Sequence, residues 1–144
     1  MEKLKFDSGI REFDLGTGTA LRFNPGDPNL YVRFLAAAQK VQAVEQELVQ
    51  QAEALGSSDS GEAVLTLLQN ADKKMKEILS WVFENDFEKI LGGMNLLAVG
   101  KNGQRVIANL FEVLQPVLVA GAQACAKEQT QAAVAKAKAR RNRV

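Results

Sequence analysis

The chain has 144 residues, 47% hydrophobic and 24% charged, which is enough for one domain with a modest core and excludes two well-packed ones. It has no histidine, so the commonest general base and the commonest metal ligand are both missing, and a single cysteine, Cys125, excludes an internal disulfide. No uninterrupted apolar run approaches the length of a membrane span, and the first residues lack the apolar core of a signal peptide. We therefore expect a cytoplasmic protein with no membrane partner.

Residues 3–24 are predicted to form a β-ribbon. Residues 4–6 and 10–15 flank a short Asp7-Ser8-Gly9 turn, and Leu21 and Phe23 alternate with Arg22 in a further strand. Two or three short strands are marginally stable alone. We therefore expect the ribbon to pack on helices or to pair with another chain.

Two long amphipathic helices follow the ribbon. Asp27 is placed to cap the first helix, and Pro28 suits its first turn. A second helix is predicted at residues 62–84, after a polar loop at residues 56–61. Each helix carries one apolar stripe of heptad type, formed by Leu30, Phe34, Ala37, Val41, Val44 and Leu48 in the first and by Val64, Leu68, Ala71, Met75, Ile78 and Val82 in the second.

The remainder of the chain is predicted to be helical with short breaks. Asn85 is predicted to cap a short helix, with Glu88 completing a capping box, and this helix should end at Gly92-Gly93. A loop at residues 100–103 precedes a further apolar helix at residues 106–118. The predicted fold is therefore mainly α, a helical bundle at residues 27–126 with a small N-terminal β-hairpin or ribbon at residues 3–24, in a single domain 1–126.

The last segment, residues 127–144, is predicted to be a basic, frayed helical tail. Of the 18 basic and 17 acidic residues, six basic and one acidic lie from Lys127 onward, which leaves 12 basic against 16 acidic in the remainder. No aromatic residue is interleaved with these cations, which favours a solvated helix end suited to the helix dipole over nucleic-acid binding. The alternative is that these cations contact an anionic partner, and the candidate residues are Lys136, Lys138, Arg140, Arg141 and Arg143.

Other candidate chemistry has a structural interpretation. Gly100-Lys101-Asn102-Gly103 lacks the Ser or Thr of a phosphate loop, and Gly16-Thr17-Gly18 lacks the rest of a dinucleotide fingerprint. The carboxylates near Glu45 and Glu84 have surface or capping spacing, and Cys125 is expected to be a buried structural thiol. Trp81, Phe83 and Phe87 are expected to pack in the core. We predict no enzymatic activity, no cofactor and no metal site.

The two stripes offer more apolar surface than one small core requires. Helix-in-groove binding uses apolar stripes of this kind. We therefore predict a homo-oligomer, with a monomer that folds both stripes inward against residues 106–118 as the alternative. The predicted partner-binding residues are Leu30, Phe34, Val41, Leu48, Val64, Leu68, Met75 and Trp81.

Three stretches carry a resemblance to a known family. They are Phe6-Asp7-Ser8-Gly9, then Leu21-Arg22-Phe23-Asn24-Pro25-Gly26-Asp27 leading into a long helix, then Phe87-Glu88-Lys89-Ile90-Leu91-Gly92-Gly93-Met94-Asn95. Together they resemble the tail assembly chaperones of long-tailed bacteriophages and prophages of low-GC Gram-positive bacteria.

The resemblance implies a small protein, in the bacterial host cytoplasm, that binds the long tape-measure protein and keeps it soluble until tail-tube subunits polymerise around it. The tail-tube protein is a further possible partner. The alternatives are a structural virion or head–tail component, and a nucleic-acid-binding protein that acts through the basic tail.

Overall fold

The computed structural model describes residues 1–56 and 61–142 and is mainly helical, as the sequence predicts. The elements follow in the order β1 (Arg11–Phe13), β2 (Leu21–Phe23), α1 (Pro28–Leu55), α2 (Gly61–Phe83), α3 (Phe87–Ile90) and α4 (Val106–Asn142). The predicted polar loop between the first two helices falls mostly on residues 57–60, outside the described residues.

The core lies between α1, α2 and the first half of α4. The buried stripe of α1 faces Ala71, Met75 and Leu79 of α2, because residues three and four apart share one side of a helix. Four aliphatic side chains of α4 complete this core, Ile107, Leu110, Leu114 and Leu118. Every stripe residue except Val64 thus lies in the core or packs against it within one chain.

The start of α1 is as predicted. Asp27 is the N-cap, and its carboxylate accepts a hydrogen bond from the backbone N–H of Asn29 at 3.0 Å. Pro28 occupies the first helical turn, where its missing N–H costs nothing. The helix ends at Leu55, and its C-cap is Gly56, whose positive φ of 72° suits a residue without a side chain.

The predicted ribbon is smaller than expected, since residues 4–6 form no strand. Only β1 and β2 pair, antiparallel, with Glu12 opposite Arg22. The amide of Asn24 donates a hydrogen bond to the carbonyl of Ser8 at 3.1 Å, which holds the chain near the end of β2. The predicted Asp7-Ser8-Gly9 turn therefore does not bring residues 4–6 back along β1.

The short helix α3 has a different cap from the one predicted. Asp86, not Asn85, is its N-cap and accepts from the N–H of Glu88 at 3.1 Å. The Asn85 amide instead donates to the carbonyl of Arg22 at 2.8 Å and accepts from the Arg22 N–H at 3.2 Å. This side chain therefore occupies the outer edge of β2.

The chain reverses after α3 and enters α4. Gly92 and Gly93 have φ of 61° and 80°, so they end α3 as predicted. An isolated bridge between Val99 and Arg105 closes the predicted loop at residues 100–103. The helix α4 then continues as far as Asn142, through the segment predicted to be a frayed tail.

Candidate partner-binding surfaces

Most of the predicted partner-binding residues lie in the core. Five of them are buried, namely Leu30, Phe34, Val41, Leu48 and Met75, and they contact other parts of the same chain. Leu68 is half-buried, whereas Val64 and Trp81 are exposed. In this structure a partner can therefore reach only the exposed minority of these residues without opening the core.

Trp81 does not belong to the aromatic core, contrary to the prediction. Its side chain is 45% exposed on the outer face of α2, and the ammonium of Lys40 lies 3.9 Å from its ring centroid. The aromatic core instead joins the hairpin to the helices. The ring centroids of Phe23 and Phe83 lie 5.0 Å apart in an edge-on contact, and those of Phe83 and Phe87 lie 5.5 Å apart.

The Gly16-Thr17-Gly18 turn and the Gly92-Gly93 pair meet in the structure. A Cβ on Gly18 would overlap the backbone carbonyl oxygen of Lys89, and one on Gly92 would overlap the carbonyl oxygen of Thr17. At the same place the Thr17 hydroxyl donates to the Ile90 carbonyl at 2.7 Å. The turn of the hairpin therefore packs backbone to backbone on the end of α3, which only glycine permits.

A buried polar cluster joins α2 to α3 and to the following loop. The Lys76 ammonium lies 2.9 Å from a carboxylate oxygen of Asp72 and 2.7 Å from one of Glu88. The other Asp72 oxygen accepts from the N–H of Leu96 at 2.8 Å. Burial alone lowers the pKa of Lys76, but its hydrogen bonds to Glu88 and Asp72 outweigh that effect, so the pKa is raised above its usual 10.5.

The sequence analysis missed this cluster. The signal was present, because Asp72 and Lys76 are four residues apart and lie beside the apolar stripe positions Ala71, Met75 and Leu79. A charged pair at that spacing is usually solvent-exposed. The cluster fixes the loop after α3, so we assign it a structural role.

A polar cleft of 490 Å³ lies between the hairpin, the start of α1 and the end of α2. Its polar groups are engaged in the fold: the Arg33 guanidinium donates to the Val82 carbonyl at 2.9 Å, and Asn85 binds Arg22. Glu84 has a positive φ of 55° at the end of α2. Arg33 thus binds a backbone carbonyl that the end of α2 leaves without a helical partner, and Asn85 binds the backbone of β2.

The first ten residues form an exposed segment, which we call the arm. Leu4 and Phe6 are 89% and 84% exposed, and Ile10 is half-exposed. The Asp7 carboxylate accepts from the Gly9 N–H at 2.9 Å and orders the base of the arm. The arm therefore leaves two large apolar side chains in water.

An apolar groove of 300 Å³ runs between the far end of the hairpin, the turn after α3 and α4. We call it the α4 groove. It is lined by Leu15, Leu91, Met94, Leu110 and Val113 among others, and Asp14 is its charged lining residue. Met94 and Val113 expose 38% and 60% of their surface.

The distal part of α4 projects from the bundle. Every residue at 126–142 is exposed, which corresponds to about 25 Å of helix. Four predicted anionic-partner residues lie on it, Lys136, Lys138, Arg140 and Arg141, whereas Arg143 falls outside the described residues. Cys125, expected to be buried, is only partly buried where this projection begins.

Over residues 1–56 and 61–142, no group of three or more Cys, Asp or Glu side chains is arranged to hold a metal ion. In the same residues, one 18-residue stretch of α4 is long and apolar enough to cross a membrane. Its mean hydropathy is 1.4, and 22% of it is buried in the structure. The core helix of a soluble protein gives the same signal.

No protein-family model matches the chain, and neither a curated protein nor a solved structure shows significant similarity to it.

Proposed function

We propose that this protein is a non-enzymatic tail assembly chaperone of a long-tailed bacteriophage, which binds the tape-measure protein before the tail tube polymerises. The observation that carries the proposal is the projecting distal part of α4. A helix that is exposed on all sides leaves about 25 Å of surface accessible, along which a long helical partner can lie.

The placement of the three motifs that carry the family resemblance also supports the proposal. Ser8 in the first motif accepts a hydrogen bond from Asn24 in the second. The third motif contains Lys89, Ile90 and Gly92, on which the hairpin turn packs. The motifs therefore coincide with the joints that orient the arm and the hairpin on the bundle.

Co-expression tests the proposal. A tape-measure protein identified among the products of the neighbouring genes is produced alone, with this protein, or with a variant in which Lys136, Lys138, Arg140 and Arg141 are changed to Ala. We expect soluble, co-purifying tape-measure protein only in the presence of the wild type, and less with the variant. Alanine keeps the helix, so circular dichroism should remain unchanged and serves as the control. If the tape-measure protein stays insoluble with the wild type, the proposal is wrong.

The clustered cations of the tail favour nucleic-acid binding as a second candidate function, since lysine and arginine neutralise phosphates with a strong salt dependence. The same alanine variant separates the two functions. Salt-sensitive binding to a mixed-sequence DNA duplex that disappears in the variant would support nucleic-acid binding. Binding to the tape-measure protein without measurable DNA binding would support the chaperone.

A further inference from the structure

The side of α4 that packs on the bundle continues beyond the bundle. Leu118 is buried in the core, and Cys125, Ala132 and Ala139 follow it at intervals of seven residues, which keeps them on one side of the helix. Cys125 lines a cleft of 440 Å³ against the base of the hairpin, so this side still faces the body of the protein at that level. Beyond it, residues 126–142 are exposed. We call the continuation of this side along residues 126–142 the open side of α4.

The neighbouring helix α1 begins where the open side does. A Cβ on Gly121 of α4 would overlap the backbone carbonyl oxygen of Pro25, just before α1 begins at Pro28. Since α4 continues as far as Asn142, it extends past its partner helix. A helix laid along the open side would therefore continue the helix packing that the bundle already contains.

Two cations lie on the open side. Lys136 is four residues after Ala132 and three before Ala139, and Arg140 is four residues after Lys136. Residues at these spacings are neighbours on a helix surface. The open side therefore offers small side chains, over which another helix can approach closely, next to positive charge.

The charge of the projection selects an acidic occupant. Residues 126–142 contain five cations and a single acid, Glu128. A second copy of the same projection would bring like charges together, which is unfavourable. The long helices of the body are not complementary either, since α1 has two basic and three acidic residues and α2 has three of each. The complement is therefore a helix from another protein.

We propose that the open side of α4 binds an acidic amphipathic helix of a partner protein. The apolar side chains of that helix lie over Ala132 and Ala139, and its carboxylates pair with Lys136 and Arg140. Assigning this helix to the tape-measure protein rests on the proposed function, whereas the binding chemistry does not.

Three synthetic helices probe this chemistry with the full-length protein. Each has about 21 residues, or six turns, and the same leucine stripe, and the positions that flank the stripe carry glutamate, glutamine or lysine. Fluorescence anisotropy is measured at concentrations where each peptide is monomeric by sedimentation. We expect the glutamate peptide to bind about tenfold or more tightly than the glutamine peptide, and the lysine peptide not to bind.

A matched pair of charge reversals tests the side of the helix. Lys136→Glu with Arg140→Glu should weaken binding of the glutamate peptide by about tenfold or more and allow the lysine peptide to bind. Lys138→Glu with Arg141→Glu makes the same change of charge on the opposite side. This control should change binding by no more than about threefold, because a helix is about 10 Å across and charges in physiological salt are screened within about 8 Å.

Alanine positions give a readout that does not involve charge. Ala132→Tyr places a bulky side chain on the open side and should weaken binding of the glutamate peptide. Ala137→Tyr makes the same change on another side of the helix and should leave binding unchanged. Both positions are exposed, so neither substitution disturbs the core.

Four results would overturn the proposal. Equal binding of the glutamate and glutamine peptides would remove the role of charge, and equal losses in the two charge reversals would remove the open side. Displacement of the glutamate peptide by a lower concentration of duplex DNA would assign the cations to nucleic acid. Self-association of the protein without peptide, abolished by Lys136→Glu with Arg140→Glu, would make a second copy the occupant.

The peptide experiment and the co-expression experiment fail separately. A tape-measure protein that becomes soluble with this protein, together with no binding of the glutamate peptide, would overturn the inference and leave the proposed function standing. Side-specific binding of the glutamate peptide, together with an insoluble tape-measure protein, would support the inference and contradict the proposed function.

Discussion

Replacing Lys76 by Met should destabilise the fold far more than replacing a neighbouring lysine. The substitution keeps the side-chain length but removes the cation that Asp72 and Glu88 share. Asp72 is buried and would be left with the N–H of Leu96 as its described hydrogen-bond partner. Breaking a buried ion pair in this way costs about 3–5 kcal/mol.

The structure places the expected cost at the lower end of that range, about 3 kcal/mol, because the Glu88 side chain is 59% exposed and water can solvate it. Urea denaturation followed by circular dichroism measures this loss. With an m-value of about 2 kcal/mol/M, the midpoint should fall by about 1.5 M. Lys74→Met is the matched control: its ion pair with Glu47 is half-exposed on both sides, so its loss should cost at most about 1 kcal/mol.

The pH dependence provides a second check on the same cluster. The pKa of Lys76 in the folded protein is raised above 10.5, its value in the unfolded chain. Its contribution is therefore complete below pH 10.5 and is lost as the pH rises through the folded-state pKa. The stability difference between wild type and Lys76→Met should shrink at that pH. Equal midpoints for Lys76→Met and Lys74→Met at neutral pH would refute the reasoning.

Two further predictions concern the hairpin joint and the exposed tryptophan. Gly18→Ala should lower the free energy of unfolding by about 1–3 kcal/mol, since its Cβ would overlap the Lys89 carbonyl oxygen; Gly61→Ala, which meets no described atom within 4 Å, should show no such loss in urea denaturation. Lys40→Ala should remove a cation–π contact worth about 0.5–1 kcal/mol and shift the fluorescence of Trp81, the chain's single tryptophan, to longer wavelength. An unchanged emission spectrum would contradict the contact.

The long helices were predictable because their apolar stripes repeat over several turns. A hydrophobic periodicity sustained over that length indicates a helix even where single residues are ambiguous. The cap of α1 was predictable for a local reason, since Asp27 and Pro28 act on their own backbone. The same pattern did not reveal what covers the stripes. An apolar stripe has the same sequence pattern whether it packs against another chain or, as here, against other helices of its own chain.

The features that sequence analysis missed depend on contacts between distant segments. Asn85 and Asp86 are both good capping residues, and the choice between them follows from the bond of Asn85 to Arg22, 63 positions away. The burial of Lys76 requires Glu88 from α3. Residues 4–6 alternate as a strand does, but Asn24 holds the turn that follows them, at Ser8, near the end of β2.

Mass spectrometry of purified phage particles tests the proposed chaperone function most directly. A protein that holds the tape-measure protein only until the tail tube forms should be present in the lysate of infected cells and absent from finished particles. A fixed stoichiometry in purified virions would contradict the proposal and assign the protein to the structure of the particle.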